Sequence, residues 1–141
     1  MPMASADYYK GFTLIELMIV ITIIGVLTSI ALPQYHQYIE KAQISSAMTS
    51  LAAHKMNIEA YLISEGQFPN SNSQLNLPYS SLGTLTYQNT PESYGSLVFT
   101  FNSSKVSARL IDKEITFTRL INGNWECISD LDSFINTYEC D

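Results

Sequence analysis

Glu16 is the residue whose chemistry most needs an explanation. It is the only charged residue between Phe12 and Leu32, a run of 21 residues. A charged side chain near the middle of a membrane span costs roughly 2.5–3.5 kcal/mol, and somewhat less near an end. A carboxylate retained in such a run predicts a functional role and a positively charged partner.

The two histidines do not suggest a catalytic site. His36 and His54 both fall in a helical pattern, 18 residues apart, so they share a face but lie roughly 27 Å from each other. The sequence shows no serine–histidine–aspartate arrangement, no Gly-rich phosphate loop and no zinc pattern. We therefore predict no catalytic residues, no cofactor and no enzymatic activity.

Acidic residues near the C-terminus are candidate calcium ligands, because carboxylate oxygens suit that ion. They lack EF-hand spacing, and a solvated acidic loop is the favoured interpretation. We predict no metal ligands. The residues concerned are Asp130, Asp132, Glu139 and Asp141.

The run that carries Glu16 is long enough to cross a membrane. A helix of 21 residues spans roughly 32 Å, about the thickness of the hydrocarbon layer. Lys10 precedes the run and the next basic residue is Lys41. This asymmetry predicts a cytoplasmic N-terminus and a translocated remainder. A plain anchor would not explain Glu16, and a secretory signal peptide has a shorter apolar region and a small-residue cleavage site.

The stretch Gly11-Phe12-Thr13-Leu14-Ile15-Glu16-Leu17-Met18-Ile19-Val20 resembles the leader-peptide and N-terminal signature of type IV pilins and pseudopilins. The likeness extends through Gly25 to Ala31-Leu32-Pro33-Gln34-Tyr35 and covers the first 45 residues or so. The short leader and Phe12 resemble the type IVa subgroup, although leaders in the family are usually more basic than this one.

The resemblance implies a processing and assembly pathway. A prepilin peptidase would cut between Gly11 and Phe12 and methylate the new N-terminus at Phe12. Glu16 would pair with the N-terminal amine of a neighbouring subunit. Two opposite charges in an apolar environment are each costly alone and much less costly together, so the pair would set register more than it adds stability.

Gly25 and Pro33 are predicted to interrupt the first helix. Proline removes a backbone hydrogen bond and clashes with the carbonyl four residues back, and glycine lowers helix propensity by about 1 kcal/mol relative to alanine. One interpretation is a mild bend without consequence. The other, implied by the resemblance, is a segment that loses helicity in the packed filament and lets the fibre stretch.

From Gln34 to about Ser64 an amphipathic pattern continues the helix. Its apolar positions recur three and four residues apart, and Gly66 is the predicted C-terminal cap. This half is expected to pack on a globular head. The apolar positions are Ile44, Ala47, Met48, Leu51, Ile58 and Leu62.

The remainder predicts an antiparallel sheet after a long loop. Turn-forming residues fill Gln67 to Gly83, which is read as either a plain connector or an exposed recognition surface. Apolar alternation then predicts four strands, with Asn122-Gly123 as a hairpin turn. They are Ser96–Asn102, Lys105–Ile111, Glu114–Ile121 and Asn124–Ile128. The predicted fold class is α+β, a long N-terminal helix packed on a four-stranded antiparallel sheet.

The two cysteines, Cys127 and Cys140, would lie in an oxidising compartment, which favours a disulfide over free thiols or a metal site. Closing a loop of about 14 residues stabilises the fold by about 3 kcal/mol in the chain-entropy model. Trp125-Glu126-Cys127 near a final cysteine also resembles the disulfide-bounded D-region of type IVa pilins, a loop that commonly meets partners.

The predicted organisation combines these segments in order. They are a removed leader (1–11), a transmembrane and filament-core helix (12–33), an amphipathic helix half (34–65), an αβ-loop (66–95), an antiparallel sheet (96–128) and a D-region (127–141).

The predicted function is that of a structural subunit of a type IV pilus. The subunit is expected to be stored in the inner membrane as a single-pass protein and then polymerised into a surface fibre. Its expected partners are other copies of itself, the prepilin peptidase, the pilus assembly machinery and minor pilins. The alternatives are a pseudopilin of type II secretion, or a minor pilin that binds a surface or DNA.

DNA binding is not indicated by the composition. The net charge is −6 and charged residues make up 14% of the chain, whereas nucleic-acid modules carry clustered basic residues. The basic residues predicted to cluster on neighbouring strands are Lys105, Arg109, Lys113 and Arg119.

Overall fold

The computed structural model describes residues 11–88, 92–131 and 140. One helix, α1 (Leu14–Glu65), is followed by four strands, β1 (Thr84–Gln88), β2 (Gly95–Thr100), β3 (Glu114–Arg119) and β4 (Trp125–Ser129). The chain divides into two units, residues 1–35 and 36–141. The α+β class and the four-stranded antiparallel sheet are confirmed.

The helix ends where the sequence predicts. Gly66 adopts a φ of 74°, and its N–H donates to the Leu62 carbonyl over 2.9 Å. Glycine takes this left-handed conformation without the steric penalty of a side chain, so it caps the last turn. Pro33 lies inside α1, which continues as helix through both Gly25 and Pro33.

The second half of α1 buries one face in the core of the 36–141 unit. The predicted apolar positions are buried, apart from Met48, which is partly buried against the core. Two polar residues that the sequence analysis missed complete the spacing of three and four. The buried residues of this face are Glu40, Ile44, Ala47, Leu51, His54, Ile58 and Leu62.

The sheet has the strand order β1-β2-β3-β4, and each neighbouring pair is antiparallel. The central strand β2 is buried along most of its length, with Leu97 opposite Phe117 on β3. Phe99 and Phe101 meet edge to face with ring centroids 4.9 Å apart. These rings and the buried helix face form a single hydrophobic cluster.

The predicted strand Lys105–Ile111 is wrong. This segment forms turns, in which Val106 and Leu110 each donate a backbone bond to a residue three positions earlier, Ser103 and Ser107. Val106 and Leu110 are both buried. Their spacing of four residues matches the turns. The Gln43 side chain of α1, rather than a neighbouring strand, forms hydrogen bonds with the backbone of this segment.

The first strand, β1, was missed because it lies inside the predicted αβ-loop (66–95). Leu85 is buried and Tyr87 half-buried, while Thr84 and Thr86 are exposed. This alternation with β-branched residues is a strand signal. The residue before β1 is Gly83. Only glycine fits there, because a Cβ at that position would overlap the Thr100 carbonyl oxygen of β2.

The β3–β4 hairpin lies where Asn122-Gly123 predicts it, but with a longer turn. Leu120 and Asn124 close the turn through an N–H to carbonyl bond of 2.8 Å, leaving three residues between them. Gly123 has a φ of 86°, and Asn122 does not have a positive φ. Three-residue hairpins with one left-handed glycine are a common alternative to the two-residue turn.

Candidate functional site

The predicted processing point lies in an open segment just before α1. Gly11, Phe12 and Thr13 precede the helix and are exposed, with Phe12 at 87% exposure. No neighbouring group lies within 4 Å of a Cβ placed at Gly11. The Gly11–Phe12 bond is therefore sterically open in the described part of the chain.

Glu16 caps the start of α1. The Thr13 N–H donates to Glu16 Oε2 over 2.8 Å, and the Thr13 hydroxyl donates to the same oxygen over 2.9 Å. In return the Glu16 N–H donates to Thr13 Oγ1 over 3.3 Å. This reciprocal arrangement is a capping box, which satisfies backbone N–H groups that the first turn of a helix leaves unpaired.

This second role of Glu16 was not predicted, although the sequence carries a signal for it. The signal is the spacing Thr-x-x-Glu ahead of an apolar run, which is a capping-box pattern. Both bonds from Thr13 end on Oε2. The other carboxylate oxygen is therefore left for a different donor.

The apolar run presents its side chains outward on every side. One helix, Leu14–Glu65, is long and apolar enough to span a membrane, and none of its most apolar window is buried. A helix that is apolar all round is typical of a membrane span or of the interior of a larger assembly.

The hydroxyl groups of the run bond within the helix itself. Thr22 donates to the Met18 carbonyl over 2.7 Å, and Ser29 donates to the Val26 carbonyl over 2.7 Å. Thr28 donates to the Ile24 carbonyl over 2.9 Å. These hydroxyls therefore find hydrogen-bond acceptors within their own helix, as polar groups in an apolar surrounding require.

A second polar cluster, in the 36–141 unit, links α1 to the last two strands. Arg119 Nε donates to Glu59 Oε1 over 2.8 Å, and Trp125 Nε1 donates to the same oxygen over 2.7 Å. Arg119 Nη1 also donates to the Ser93 carbonyl, and Lys55 Nζ lies 5.4 Å from the centre of the Trp125 ring. The hydrogen bond from Arg119 lowers the pKa of the Glu59 carboxyl below its ordinary value.

A third cluster ties the αβ-loop to α1. His54 Nε2 lies 2.6 Å from the Tyr87 hydroxyl, which donates to the Leu75 carbonyl over 2.9 Å. Burial lowers the pKa of His54 and raises the pKa of Tyr87. Together with Phe68, which is buried and whose N–H donates to the Glu92 carbonyl, these bonds fix the loop on the head.

Cys127 and Cys140 form the predicted disulfide, with their Cα atoms 4.7 Å apart. Most of the predicted D-region, residues 132–139 and 141, lies outside the described residues. So do the candidate calcium ligands Asp132, Glu139 and Asp141. Over residues 11–88, 92–131 and 140, no cluster of His, Cys, Asp and Glu could hold a metal ion.

The predicted cluster of four basic residues on neighbouring strands is wrong. Only Arg119 lies on a strand, and its guanidinium is bound to Glu59. Lys113 donates to the Asp130 carbonyl, and Arg109 pairs with Glu40 over 3.4 Å. The described residues therefore form no continuous basic stripe across the sheet.

Two family models match the chain. Residues 41–141 match the pilin family, a bacterial filament protein, and residues 7–32 match the prokaryotic N-terminal methylation motif. The type IV major pilin protein PilE1 of Neisseria gonorrhoeae is 35% identical over 123 residues, which cover 84% of this chain and 68% of that protein. The type IV major fimbrial protein FimA of Dichelobacter nodosus is 31% identical over 150 residues, covering 93% and 96%.

A solved structure supports the fold. A crystal structure of a Cs1 pilin chimera superposes with a TM-score of 0.58 at 22% sequence identity, and the match covers 74% of this chain and 98% of that one. At this identity the likeness concerns the fold alone. With the two family models and the fimbrial relatives, the chain belongs to the type IV pilin family, a family of structural subunits rather than of enzymes.

Proposed function

We propose that this chain is the major structural subunit of a type IVa pilus. The observation that carries the proposal is Glu16, the one carboxylate in the run from Phe12 to Leu32, whose apolar side chains are exposed all round the helix. The relatives named as major pilin and major fimbrial proteins support the same function. The chain spans about two thirds of the length of the Neisseria relative.

Processing would occur between Gly11 and Phe12, followed by methylation of the Phe12 amine. The exposed segment before α1 and the match to the N-terminal methylation motif support this step. Cleavage leaves the Thr13 N–H in a peptide bond, so the capping box of Thr13 and Glu16 survives it. The mature helix would thus keep its capped first turn.

Assembly would use the remaining oxygen of Glu16. Thr13 occupies Oε2, so Oε1 would accept from the Phe12 ammonium of a second copy. Two charges that are costly in an apolar surrounding become far less costly when paired. The pair would form at one stagger of adjacent helices only, which fixes register.

Before assembly the subunit would reside in the inner membrane with its N-terminus in the cytoplasm. The assembly machinery and minor pilins would then feed it into a surface fibre with apolar helices in its core. Gly25 to Pro33 would be the segment able to lose helicity there, because Pro33 leaves the carbonyl four residues back without an N–H partner. Adhesion, twitching motility, biofilm formation and DNA uptake are the uses open to such a fibre.

Electron microscopy and mass spectrometry of filaments sheared from cells test the function. We expect this chain to dominate long fibres, with Phe12 as its first residue and one added methyl group. A processed chain that is absent from long fibres would contradict the major-pilin proposal. Secretion and DNA-uptake assays on a deletion strain would then separate the pseudopilin and minor-pilin alternatives.

Glu16→Ala tests the register pair. We expect the variant to remain in the membrane and to form fibres at less than about a tenth of the wild-type yield, since an unpaired ammonium would remain in the apolar core. Immunoblots of sheared and membrane fractions measure both quantities. The matched control is Thr22→Val, which removes a polar group that bonds only to its own helix and should assemble normally. Normal fibres from Glu16→Ala would overturn the proposed role.

A further inference from the structure

Among the described residues, His54 is the buried ionisable side chain that forms no ion pair. It lies on the core face of α1 and is 1% exposed. Glu40, the other buried ionisable side chain, pairs with Arg109. Burial lowers the pKa of His54, because a charge taken out of water without a partner is costly. The packing around His54 therefore requires a neutral imidazole.

The hydrogen bonds around His54 determine which of its nitrogens carries the proton. The Tyr87 hydroxyl has a single hydrogen and donates it to the Leu75 carbonyl over 2.9 Å. His54 Nε2 lies 2.6 Å from the same hydroxyl oxygen, so Nε2 must be the donor in that contact. Nδ1 then holds the lone pair, and a proton taken up in acid goes to Nδ1.

The ionisable side chains around His54 offer no negative charge to balance that proton. Tyr87 of β1 contacts the imidazole and Tyr61 of α1 lies near Tyr87, but both are phenols, which supply no charge in mild acid. The nearest charged residues on α1 are Lys55 and Glu59, which interact with the last two strands. The strands β1 and β2 contain no charged residue. A protonated His54 would thus lack a carboxylate partner in the described part of the chain.

Through the Tyr87 hydroxyl, His54 is joined to a segment without helix or strand, residues 67–82. This segment contains no charged residue. It is also attached through Phe68, which is buried and whose N–H donates to the Glu92 carbonyl over 2.6 Å. The helix and strands around His54 are held by regular backbone hydrogen bonds, whereas few bonds hold this segment. It is therefore the neighbour of His54 that opens at least cost.

We propose that residues 67–82 move away from α1 in mild acid, when His54 takes up a proton at Nδ1. Opening would break the hydrogen bonds that end at the Leu75 carbonyl and begin at the Phe68 N–H. Water would then reach the imidazolium and restore the hydration that burial removes. Every contact in this inference lies within the 36–141 unit, so it holds independently of the proposed fibre function.

The segment would move as a folded turn. The Leu77 N–H donates to Asn72 Oδ1 over 2.6 Å, and the Asn70 N–H donates to Gln74 Oε1 over 2.8 Å. These bonds lie inside the segment and survive its opening. Leu75 and Leu77 are partly buried against the core, so the acid form would expose apolar surface that the neutral form covers.

Hydrogen exchange of the full chain in detergent, followed by peptide mass spectrometry, tests the proposal. Wild type and His54→Gln are compared at pH 7.5 and at pH 5.5, because a comparison at one pH cancels the effect of pH on chemical exchange. We expect peptides containing Phe68 to exchange about tenfold faster in wild type, relative to the variant, at the lower pH. The factor follows because an exposed histidine with a pKa of about 6.5 is about ten times more often protonated than neutral at that pH. His36→Gln should behave like wild type.

Tyr87→Phe tests the attachment of the segment without changing His54. It removes only the hydroxyl that joins His54 to the Leu75 carbonyl. We expect peptides containing Phe68 to exchange about fivefold faster than in wild type already at pH 7.5, the effect of one lost hydrogen bond. Tyr61→Phe, the same change on a neighbouring phenol, should exchange like wild type.

Three outcomes would overturn the inference. A ratio of wild-type to His54→Gln exchange that stays the same at both pH values would show that His54 does not control the segment. Exchange of β2 peptides at the same rate as peptides containing Phe68 would assign the acid response to unfolding of the whole unit. Wild-type exchange in Tyr87→Phe would show that the bond to Leu75 does not hold the segment.

Discussion

In the head, which is the 36–141 unit, single polar residues link separate elements, and Glu59 is the clearest case. Its carboxylate accepts from Arg119 on β3 and from Trp125 on β4. A hydrogen bond to a charged group contributes about 1.5–3 kcal/mol. The Glu59 side chain therefore links α1 to the last two strands of the sheet, β3 and β4.

Glu59→Gln should lower the free energy of unfolding near neutral pH by about 1–2 kcal/mol, because a neutral amide accepts more weakly than a carboxylate. The pKa of Glu59 is lowered in the folded state, so its contribution exists above the ordinary value and is lost as pH falls through the lowered one. Urea unfolding followed by Trp125 fluorescence measures this. The curves of variant and wild type should converge as the pH falls below the lowered pKa of Glu59. Glu65→Gln, an exposed change on the same helix, should change neither curve.

His54 should make the head sensitive to mild acid. Burial lowers the pKa of His54, so its neutral form stabilises the fold fully above the ordinary value of about 6.5. That contribution declines as pH falls from there to the lowered folded pKa. We expect the free energy of unfolding to drop as the pH falls from about 6.5 toward the lowered folded pKa of His54, and we expect His54→Gln to flatten the drop. His36→Gln should leave it intact; an unchanged slope in His54→Gln would contradict the assignment.

At the scale of elements, the sequence predicts the helices and strands whose apolar residues recur with a clear period. It fails where side chains, rather than a neighbouring strand, form hydrogen bonds with the backbone. The helix end at Gly66 and the strands β2, β3 and β4 follow from their patterns. The alternation of Val106, Ala108 and Leu110 predicts a strand over Lys105–Ile111. The bonds that decide otherwise come from Gln43, more than 60 residues away. No local pattern contains that information.

The β1 edge should depend on the absence of a side chain at Gly83. Gly83→Ala should lower the unfolding free energy by about 2 kcal/mol, because its Cβ would overlap the Thr100 carbonyl oxygen and meet the Phe99 ring. Urea midpoints of both proteins measure the loss. Gly25→Ala is the control, since a Cβ there meets nothing within 4 Å. An unchanged urea midpoint in Gly83→Ala would show that β1 can move to accommodate the Cβ without loss of stability.

At the scale of the whole molecule, the sequence predicts the family better than it predicts the connections of the 36–141 unit. The motif from Gly11 to Glu16 is local, so its resemblance to the pilin signature can be seen in the sequence alone. The buried Glu40 and the buried His54 lie on the face of α1 for which the sequence predicts only apolar positions. Polar residues enter a core when distant partners satisfy them. Ser107 and Tyr87 are such partners.

The disulfide should stabilise the head as a unit. Cys127→Ser with Cys140→Ser should lower the unfolding free energy by about 3 kcal/mol, because the bridge restricts a 14-residue loop in the unfolded chain. Urea unfolding of the oxidised proteins gives the difference. Reduced wild type should unfold like the double variant, and reducing agent should not change the variant further. A difference below about 1 kcal/mol would show that the loop holds without its bridge.

The hydroxyls of the apolar run have a consequence for transfer between surroundings. Thr22, Thr28 and Ser29 each bond to a carbonyl of their own helix, so none needs a partner from lipid or from a neighbouring subunit. The same side-chain bonds hold in either medium. Glu16 and the Phe12 amine that would pair with it are then the groups in this run whose surroundings must change on transfer from membrane to filament.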